Sequence, residues 1–323
     1  MKRNQKILVT AVLGAVSSLV LNGAFAAITP KSIKDSPHNL GSGNILPSSP
    51  SGTTPSNHSL DTAEICVFCH TPHGGDTGAT VPIWNRKLGI GGVSGAVGYT
   101  RYSALGTTTF DAMEAPVGNV SIACLSCHDG TQAIDNVINM PGSGGYNFAT
   151  GTRIGNFGGG DTLGGLKPGT LGDPNKVVQN LTTDLSNDHP ISMQFGGGGV
   201  SVTTPTPAKT FDPDFHVPQV MNAPVASGLE KLWYIESGAN SLNPSGRDRQ
   251  DIILYTRKDV VGGGGINQPT VECGSCHDPH NVNNQTFLRI SNGGPTTVPN
   301  NATMIYPTAN GGPSGLCLTC HDK

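Results

Sequence analysis

Eight cysteines, arranged as four pairs, carry the strongest chemical signal in the chain. Each pair has two residues between its cysteines and is followed at once by a histidine, which gives four copies of a C-x-x-C-H pattern. Two thiols at this spacing can add to the two vinyl groups of one haem, and the adjacent histidine then ligates the iron. The pattern predicts four covalently bound haem c groups. The thioether residues are Cys66, Cys69, Cys124, Cys127, Cys273, Cys276, Cys317 and Cys320, and the proximal iron ligands are His70, His128, His277 and His321.

Zinc binding and disulfide formation are the alternative uses of paired cysteines. Neither requires a histidine directly after each second cysteine. With ten histidines in 323 residues, four chance matches at these positions are about a one-in-a-million event. Haem attachment is therefore the preferred interpretation, and it leaves no cysteine for a disulfide.

Six further histidines are available for the opposite, distal faces of the irons. His73 and His280 each lie three residues after a proximal histidine, in the form His-x-Pro-His. Because three residues span at most about 10 Å, neither can easily round the edge of its own porphyrin, so each is expected to ligate a neighbouring haem. Met193 is an alternative axial ligand, although a packing role is favoured for it. The favoured distal candidates are His38, His73, His189 and His280, and the less favoured ones are His58 and His216.

The order of these motifs divides the chain into five segments. Residues 1–26 have the basic start, the apolar stretch and the Ala24-Phe25-Ala26 ending of a secretory signal peptide. An uncleaved membrane anchor is the alternative interpretation of this segment. The remaining segments are an N-terminal arm (27–61), a first dihaem module (62–150), a glycine-rich insert with distal-ligand histidines (151–260) and a second dihaem module (261–323).

The composition favours a mostly irregular, loop-rich fold with short helices and few strands. The chain has 45 glycines, 24 prolines and only 5% aromatic residues, so we expect bound haems to supply much of the apolar packing surface. Residues 132–140 are expected to form a short helix. Residues 229–235 and 251–256 are expected to form strands or single helical turns. Trp84 is expected to pack either on a haem edge or in an ordinary core.

Charge argues against nucleic-acid binding, and hydropathy argues against a transmembrane segment in the mature chain. The formal net charge is −3 and becomes −6 without the three basic residues of the signal segment, so nucleic acid is not expected as a partner. Beyond residue 26, no stretch is long and apolar enough to cross a bilayer. The mature chain is therefore expected to be exported without a transmembrane segment.

Several stretches together carry a family resemblance that covers nearly the whole mature chain. They are His38-Asn39-Leu40, Cys66 to His73, Trp84-Asn85-Arg86, Cys124 to Thr131, Asp188 to Ile191, Cys273 to His280 and Cys317 to His321. In this combination the chain resembles exported tetrahaem c-type cytochromes of metal-reducing bacteria, which include OmcE-type extracellular cytochrome subunits of filaments. The resemblance implies a fold organised around a chain of low-potential, bis-histidine haems, and an N-terminal arm that contacts the next subunit.

The expected function is electron transfer without catalysis. The partners would be other redox proteins or extracellular electron acceptors, together with further copies of the chain in a filament, and the location would be extracellular or at the cell surface rather than periplasmic. A periplasmic multihaem electron shuttle is one alternative. A multihaem reductase with one open iron is another, although the Cys-x-x-Cys-Lys motif common in such enzymes does not occur in the sequence. A structural filament or adhesin with incidental haem is the third.

Overall fold

The described part of the chain consists mainly of loops, with short helices and small antiparallel sheets. The structure is a computed structural model, and all the residues that it describes belong to one compact unit, residues 31–323. This agrees with the loop-rich fold predicted from composition. The predicted signal peptide and most of the predicted arm and insert lie outside the described residues. Those residues are 32–41, 58–59, 62–90, 98–102, 112–132, 134, 136–140, 157–158, 180–200, 210–220, 233–237, 250–256, 268–281, 287–290 and 315–322.

The three described α-helices all carry cysteine pairs. They are α1 (Asn119–His128), α2 (Cys273–Cys276) and α3 (Gly315–Cys320), and the first cysteine pair begins a 3₁₀ turn, Cys66–Phe68. Side chains three residues apart lie on the same side of a helical turn, so each helix presents its two thiols together. No helix in the described ranges is long and apolar enough to span a membrane.

Within the described residues, the strands form two antiparallel sheets. Strands β1 and β2 form a two-stranded sheet, and the other five form a sheet in the order β3-β7-β6-β5-β4. Trp233 of β5 lies opposite Leu254 of β6, and Tyr255 of β6 lies opposite Thr270 of β7. The strands are β1 (His58–Ser59), β2 (Phe157–Gly158), β3 (Met193–Gln194), β4 (Gln219–Val220), β5 (Trp233–Ile235), β6 (Ile252–Thr256) and β7 (Pro269–Val271).

The apolar runs predicted as strands or helical turns are strands where they are described. β5 and β6 consist of aromatic, β-branched and other large apolar residues, which favour extended structure, and they are buried almost throughout. Their side chains pack with Phe195 and Val200 in one apolar cluster. A second cluster surrounds Trp84 and α1, and a third contains Phe68, Ile134 and Val137. The core is thus divided into small clusters, each near a cysteine pair.

The helix predicted at 132–140 is not formed by the described residues of that segment. Helix α1 ends at His128, and Gly130 follows with a φ of 68°, a left-handed conformation that ends helices. The Ile138 N–H donates to the carbonyl of Asn85 over 2.8 Å, and Val137 forms a β-bridge with Arg86. Because these backbone groups bond to another segment, they cannot complete a helix of their own.

The described portion of the predicted N-terminal arm packs against the rest of the unit. Ile33–Asp35 form a 3₁₀ turn, and the Asn39 side chain donates to the carbonyl of Lys34 over 2.6 Å. The ring of His38 stacks on Phe287 with centroids 4.3 Å apart. Residues 32–41 are therefore anchored to the segment that follows the third cysteine pair.

The turn that follows β3 contains Gly196, and substitution of this glycine tests the backbone conformation of the turn. Gly196 has a φ of 55°, and a Cβ there would lie 2.7 Å from the Cβ of Thr210. We expect Gly196→Ala to lower the free energy of unfolding by about 2–4 kcal/mol through backbone strain and overpacking. Denaturant titration measures the change. In the control Gly98→Ala, the nearest atom to the new Cβ would be Ile90 Cδ1 at 3.8 Å, so the change should stay within about 0.5 kcal/mol. Equal stability of the two variants would contradict the described turn.

Candidate haem-binding sites

The proximal histidine of the first, third and fourth motifs follows a closed helical turn. In each, the histidine N–H donates to the carbonyl of the first cysteine, over 2.8, 3.0 and 2.9 Å respectively. This i to i−4 bond is that of an α-helical turn, and it holds the imidazole-bearing residue beside the two thiols. In the second motif the histidine is the last residue of α1. One local geometry thus serves all four motifs.

The same three histidines are also paired with a second segment, an arrangement that we call the histidine clasp. The carbonyl of the second cysteine accepts an N–H from that segment, over 2.9, 2.8 and 3.0 Å in motif order. Cross-segment pairing of this kind fixes the backbone direction of the histidine. Sequence analysis missed it because the pairing segment follows two of the motifs but precedes the fourth. The β-bridges are His70 with Trp84, His277 with Leu288, and His321 with Phe215.

Two of the clasps share an uncommon backbone conformation. Ile83 and Phe287, which precede the bridged residues Trp84 and Leu288, have φ values of 49° and 60°. A non-glycine residue in this region costs about 1–2 kcal/mol. The carbonyls of Ile83 and Phe287 each accept an N–H from the residue that follows the proximal histidine, over 2.9 Å in both cases. In both clasps, the residue with a positive φ therefore directs its carbonyl towards the N–H group that follows the proximal histidine.

The cysteine pairs lie next to one another in the order of the sequence. Burial raises the pKa of the Cys69 thiol to about 12, and the nearby Cys127 thiol adds to this rise. Cys124 lies beside Cys273, and the N–H of Cys273 donates to Ser121 Oγ in the helix that carries Cys124 over 2.9 Å. Burial raises the pKa of Cys276 to about 11, with contributions from its own pair and from the neighbouring Cys317. The first motif therefore lies beside the second, the second beside the third, and the third beside the fourth. We call this arrangement the continuous row.

Two pairs of imidazoles have the separation expected for ligands on opposite faces of one iron. With metal–nitrogen bonds of about 2 Å, two such rings have centres about 6 Å apart. The ring centres of His38 and His128 are 6.1 Å apart, with an angle of 67° between the ring planes. Those of His70 and His280 are 6.2 Å apart, with an angle of 18°. Each pair joins a proximal histidine to a favoured distal candidate.

The hydrogen bonding of His70 leaves the correct nitrogen for a metal. Its Nδ1 lies 2.9 Å from the carbonyl oxygen of Pro82, and since a carbonyl only accepts, Nδ1 must donate. Nε2 is then the unprotonated nitrogen, the arrangement that backbone carbonyls impose on metal-ligating histidines. In His280, Nδ1 lies 3.7 Å from a carboxylate oxygen of Asp278, and the backbone N–H of His280 donates to the same oxygen over 2.9 Å.

His38 lies among several other histidines. Burial, together with smaller effects of the nearby His128, His280 and His277, lowers its pKa to about 4. The imidazole is therefore neutral near pH 7, the state that binds a metal. His38 is thus more enclosed than His73, His189 and His280, which are exposed.

The remaining distal candidates have different surroundings. His73 and His189 are exposed, and His189 Nδ1 donates to the carbonyl of its neighbour Pro190 over 3.0 Å. His216 directs Nε2 to the carbonyl of Leu318 over 3.2 Å. The side chain of His58 lies outside the described residues. Among ring contacts between described residues, none includes His73, His189 or His216.

The imidazole pairs connect residues from different predicted segments of the chain. His280 belongs to the predicted second module, yet its ring lies beside His70 of the first. His38 of the arm approaches His128 of the first module as well as His277 of the second. Histidines from the arm and from both predicted modules therefore lie close together.

The surroundings of His70 fit a bulky bound group. Trp84 is 9% exposed, and its ring lies 5.7 Å from that of His70 at an angle of 85°. The Trp84 Nε1 is buried without a hydrogen-bond partner in this structure. Buried indole N–H groups normally donate a hydrogen bond, so an acceptor such as a haem carboxylate would satisfy this one. Trp84 also packs in the first apolar cluster, which leaves both sequence interpretations of it compatible with its position.

The number of ligands that a metal would need from these residues depends on the kind of metal site. Within the described ranges, no group of three or more His, Cys, Asp or Glu side chains is arranged to hold a metal ion. A haem iron requires only two protein ligands, and paired imidazoles supply two.

In comparisons with known proteins, no protein-family model and no curated protein sequence matches the chain.

Proposed function

We propose that this chain is an exported tetrahaem c-type cytochrome that transfers electrons in extracellular electron transfer. The observation that carries the proposal is the continuous row of four cysteine pairs, with two imidazole pairs about 6 Å apart beside it. When bound, haem c supplies a one-electron redox centre whose potential depends on its ligands and its burial. Electron transfer between such centres depends on close spacing, which a row of attachment sites would provide.

The protein residues would bind, orient and enclose these groups. The paired thiols would hold each group at two points, and the histidine clasps would fix the direction of the proximal imidazoles. Distal imidazoles such as His280 and His38 would close the opposite faces of two irons. Closed faces at these two irons favour an electron carrier over a multihaem reductase, which needs an open iron.

Haem content and spin state test this proposal directly. Mass spectrometry of the exported polypeptide should show cleavage after Ala26 and four haem adducts. Optical and EPR spectra should be low-spin, and carbon monoxide or cyanide should not change them. Fewer than four adducts, or zinc in their place, would refute the cytochrome. A high-spin fraction that binds carbon monoxide would favour the reductase.

Location and assembly are separate parts of the proposal. The signal segment supports export, and the resemblance to filament-forming cytochromes supports a position at the cell surface. Electron microscopy of the purified protein should show filaments in which haems of adjacent subunits meet. Monodisperse particles recovered from the periplasm would favour the soluble electron shuttle instead.

A further inference from the structure

A buried carboxylate lies between the second and third cysteine pairs. Glu272 is 1% exposed and immediately precedes Cys273. Ser121 Oγ in α1 donates to Glu272 Oε2 over 2.5 Å, and Ser192 Oγ donates to the same oxygen over 3.2 Å. The backbone N–H of Ser275 in α2 also donates to the Glu272 side chain. Three segments that are distant in sequence therefore meet at one carboxylate.

The same network holds two haem-attachment motifs against each other. Ser121 Oγ accepts the N–H of Cys273 over 2.9 Å, so a single hydroxyl links α1 to the first residue of α2. Glu272 is close enough to the Cys124 and Cys273 sulfurs to interact with both of them electrostatically. At Gly274 an added Cβ would lie 2.5 Å from the Tyr255 hydroxyl. The junction is tightly packed around the carboxylate.

The three donors favour the ionised form of the Glu272 carboxyl, and its negative charge would affect redox centres attached on either side. In a low-dielectric interior, charges interact more strongly than in water and are less screened by salt. A nearby negative charge stabilises the oxidised iron, which carries one more positive charge than the reduced iron. The three donors hold the Glu272 carboxylate at one place, so its effect on each side is fixed.

We propose that Glu272 is a positioning residue that locks the second and third haem attachments together and lowers the reduction potentials of the two haems bound there. The inference rests on the proposed function, since it requires haem at Cys124 and Cys273. The Glu272 carboxylate would then set the spacing of the second and third haems and lower their potentials relative to those of the first and fourth.

The charge is tested with Glu272→Gln, which keeps the shape of the side chain and removes its charge. Spectroelectrochemical titration should show two of the four potentials shifted upward and the other two unchanged. The control Glu64→Gln makes the same charge change at an exposed site two residues before Cys66, where solvent screening should leave all four potentials unchanged. If Glu272→Gln has the potentials of the wild type, the inference is wrong.

The spacing is tested with Ser121→Ala, which removes the hydroxyl link but keeps the carboxylate. We expect weaker magnetic coupling between two haems in the EPR spectrum and no upward shift of any potential. Unchanged coupling would overturn the positioning role. This variant and Ser192→Ala also keep the inference testable if Glu272→Gln does not fold.

Haem counting by mass spectrometry separates the role of Glu272 from the proposed function. A wild type without four haems refutes the proposed function, whereas four haems with unresponsive potentials refute only the role of Glu272.

Discussion

Replacement of His280 with alanine is expected to open one iron position per chain. The His280 ring lies 6.2 Å from that of His70, and the His70 Nδ1 bond to Pro82 leaves Nε2 for the metal. Without the second imidazole, the iron should change from low-spin to high-spin and bind carbon monoxide. Because the His280 side chain is 61% exposed, its loss should scarcely affect core packing. The expected result is about one carbon monoxide bound per chain, with all four haems still attached.

The matched control for this experiment is His216→Gln. The His216 ring directs Nε2 to the carbonyl of Leu318, and a glutamine amide can donate to the same carbonyl. This variant also loses one histidine but should remain low-spin and unreactive towards carbon monoxide. Added imidazole should return His280→Ala to the low-spin state. A His280→Ala protein that is low-spin without added imidazole would contradict the pairing with His70.

The distal pairing shows where sequence reasoning reaches its limit. The short tether from His277 to His280 excludes the haem attached at the third motif, and this conclusion needs only the length of a peptide. It does not decide which neighbouring haem is reached, because that depends on how separate segments pack. The sequence predicts only that His280 reaches a neighbouring haem, whereas the structure brings its ring to within 6.2 Å of the His70 ring. The residue types were predictable, but their partners required tertiary contacts.

Local structure was predictable where composition and hydrogen bonding agree. The apolar runs at 233–235 and 252–256 are strands, because β-branched and aromatic side chains suit a buried sheet. The segment 132–140 has a similarly apolar pattern, but the Ile138 amide bonds to Asn85 and prevents the predicted helix. The histidine clasps have no local signal, since their second segment lies before one motif and after two others. The residues that could attach a haem can therefore be recognised from a short stretch of sequence. The geometry of each site depends on segments that are distant in sequence.

Arg86 is expected to be the most important single side chain for the stability of the first two motifs. It is 0% exposed, and its Nε and Nη2 donate to the carbonyl of Ser126 over 3.2 and 2.8 Å. Its Nη1 donates to the carbonyl of Ile134 over 2.6 Å. Ser126 lies in the last turn of α1, where carbonyls lack partners within the helix. One guanidinium thus caps the helix that carries Cys124 and holds the segment after it.

Arg86→Met should lower the free energy of unfolding by about 2–5 kcal/mol, because two buried carbonyls lose their donors. Loss of the buried charge offsets part of this cost. Arg86→Lys should be at least as destabilising, since lysine keeps a buried charge but lacks the planar fork that reaches both carbonyls. Denaturant titration followed by circular dichroism measures both changes. The control Lys87→Met alters the adjacent exposed residue and should change stability by no more than about 0.5 kcal/mol. If Arg86→Met is as stable as Lys87→Met, the bonds to Ser126 and Ile134 do not hold the first two motifs together.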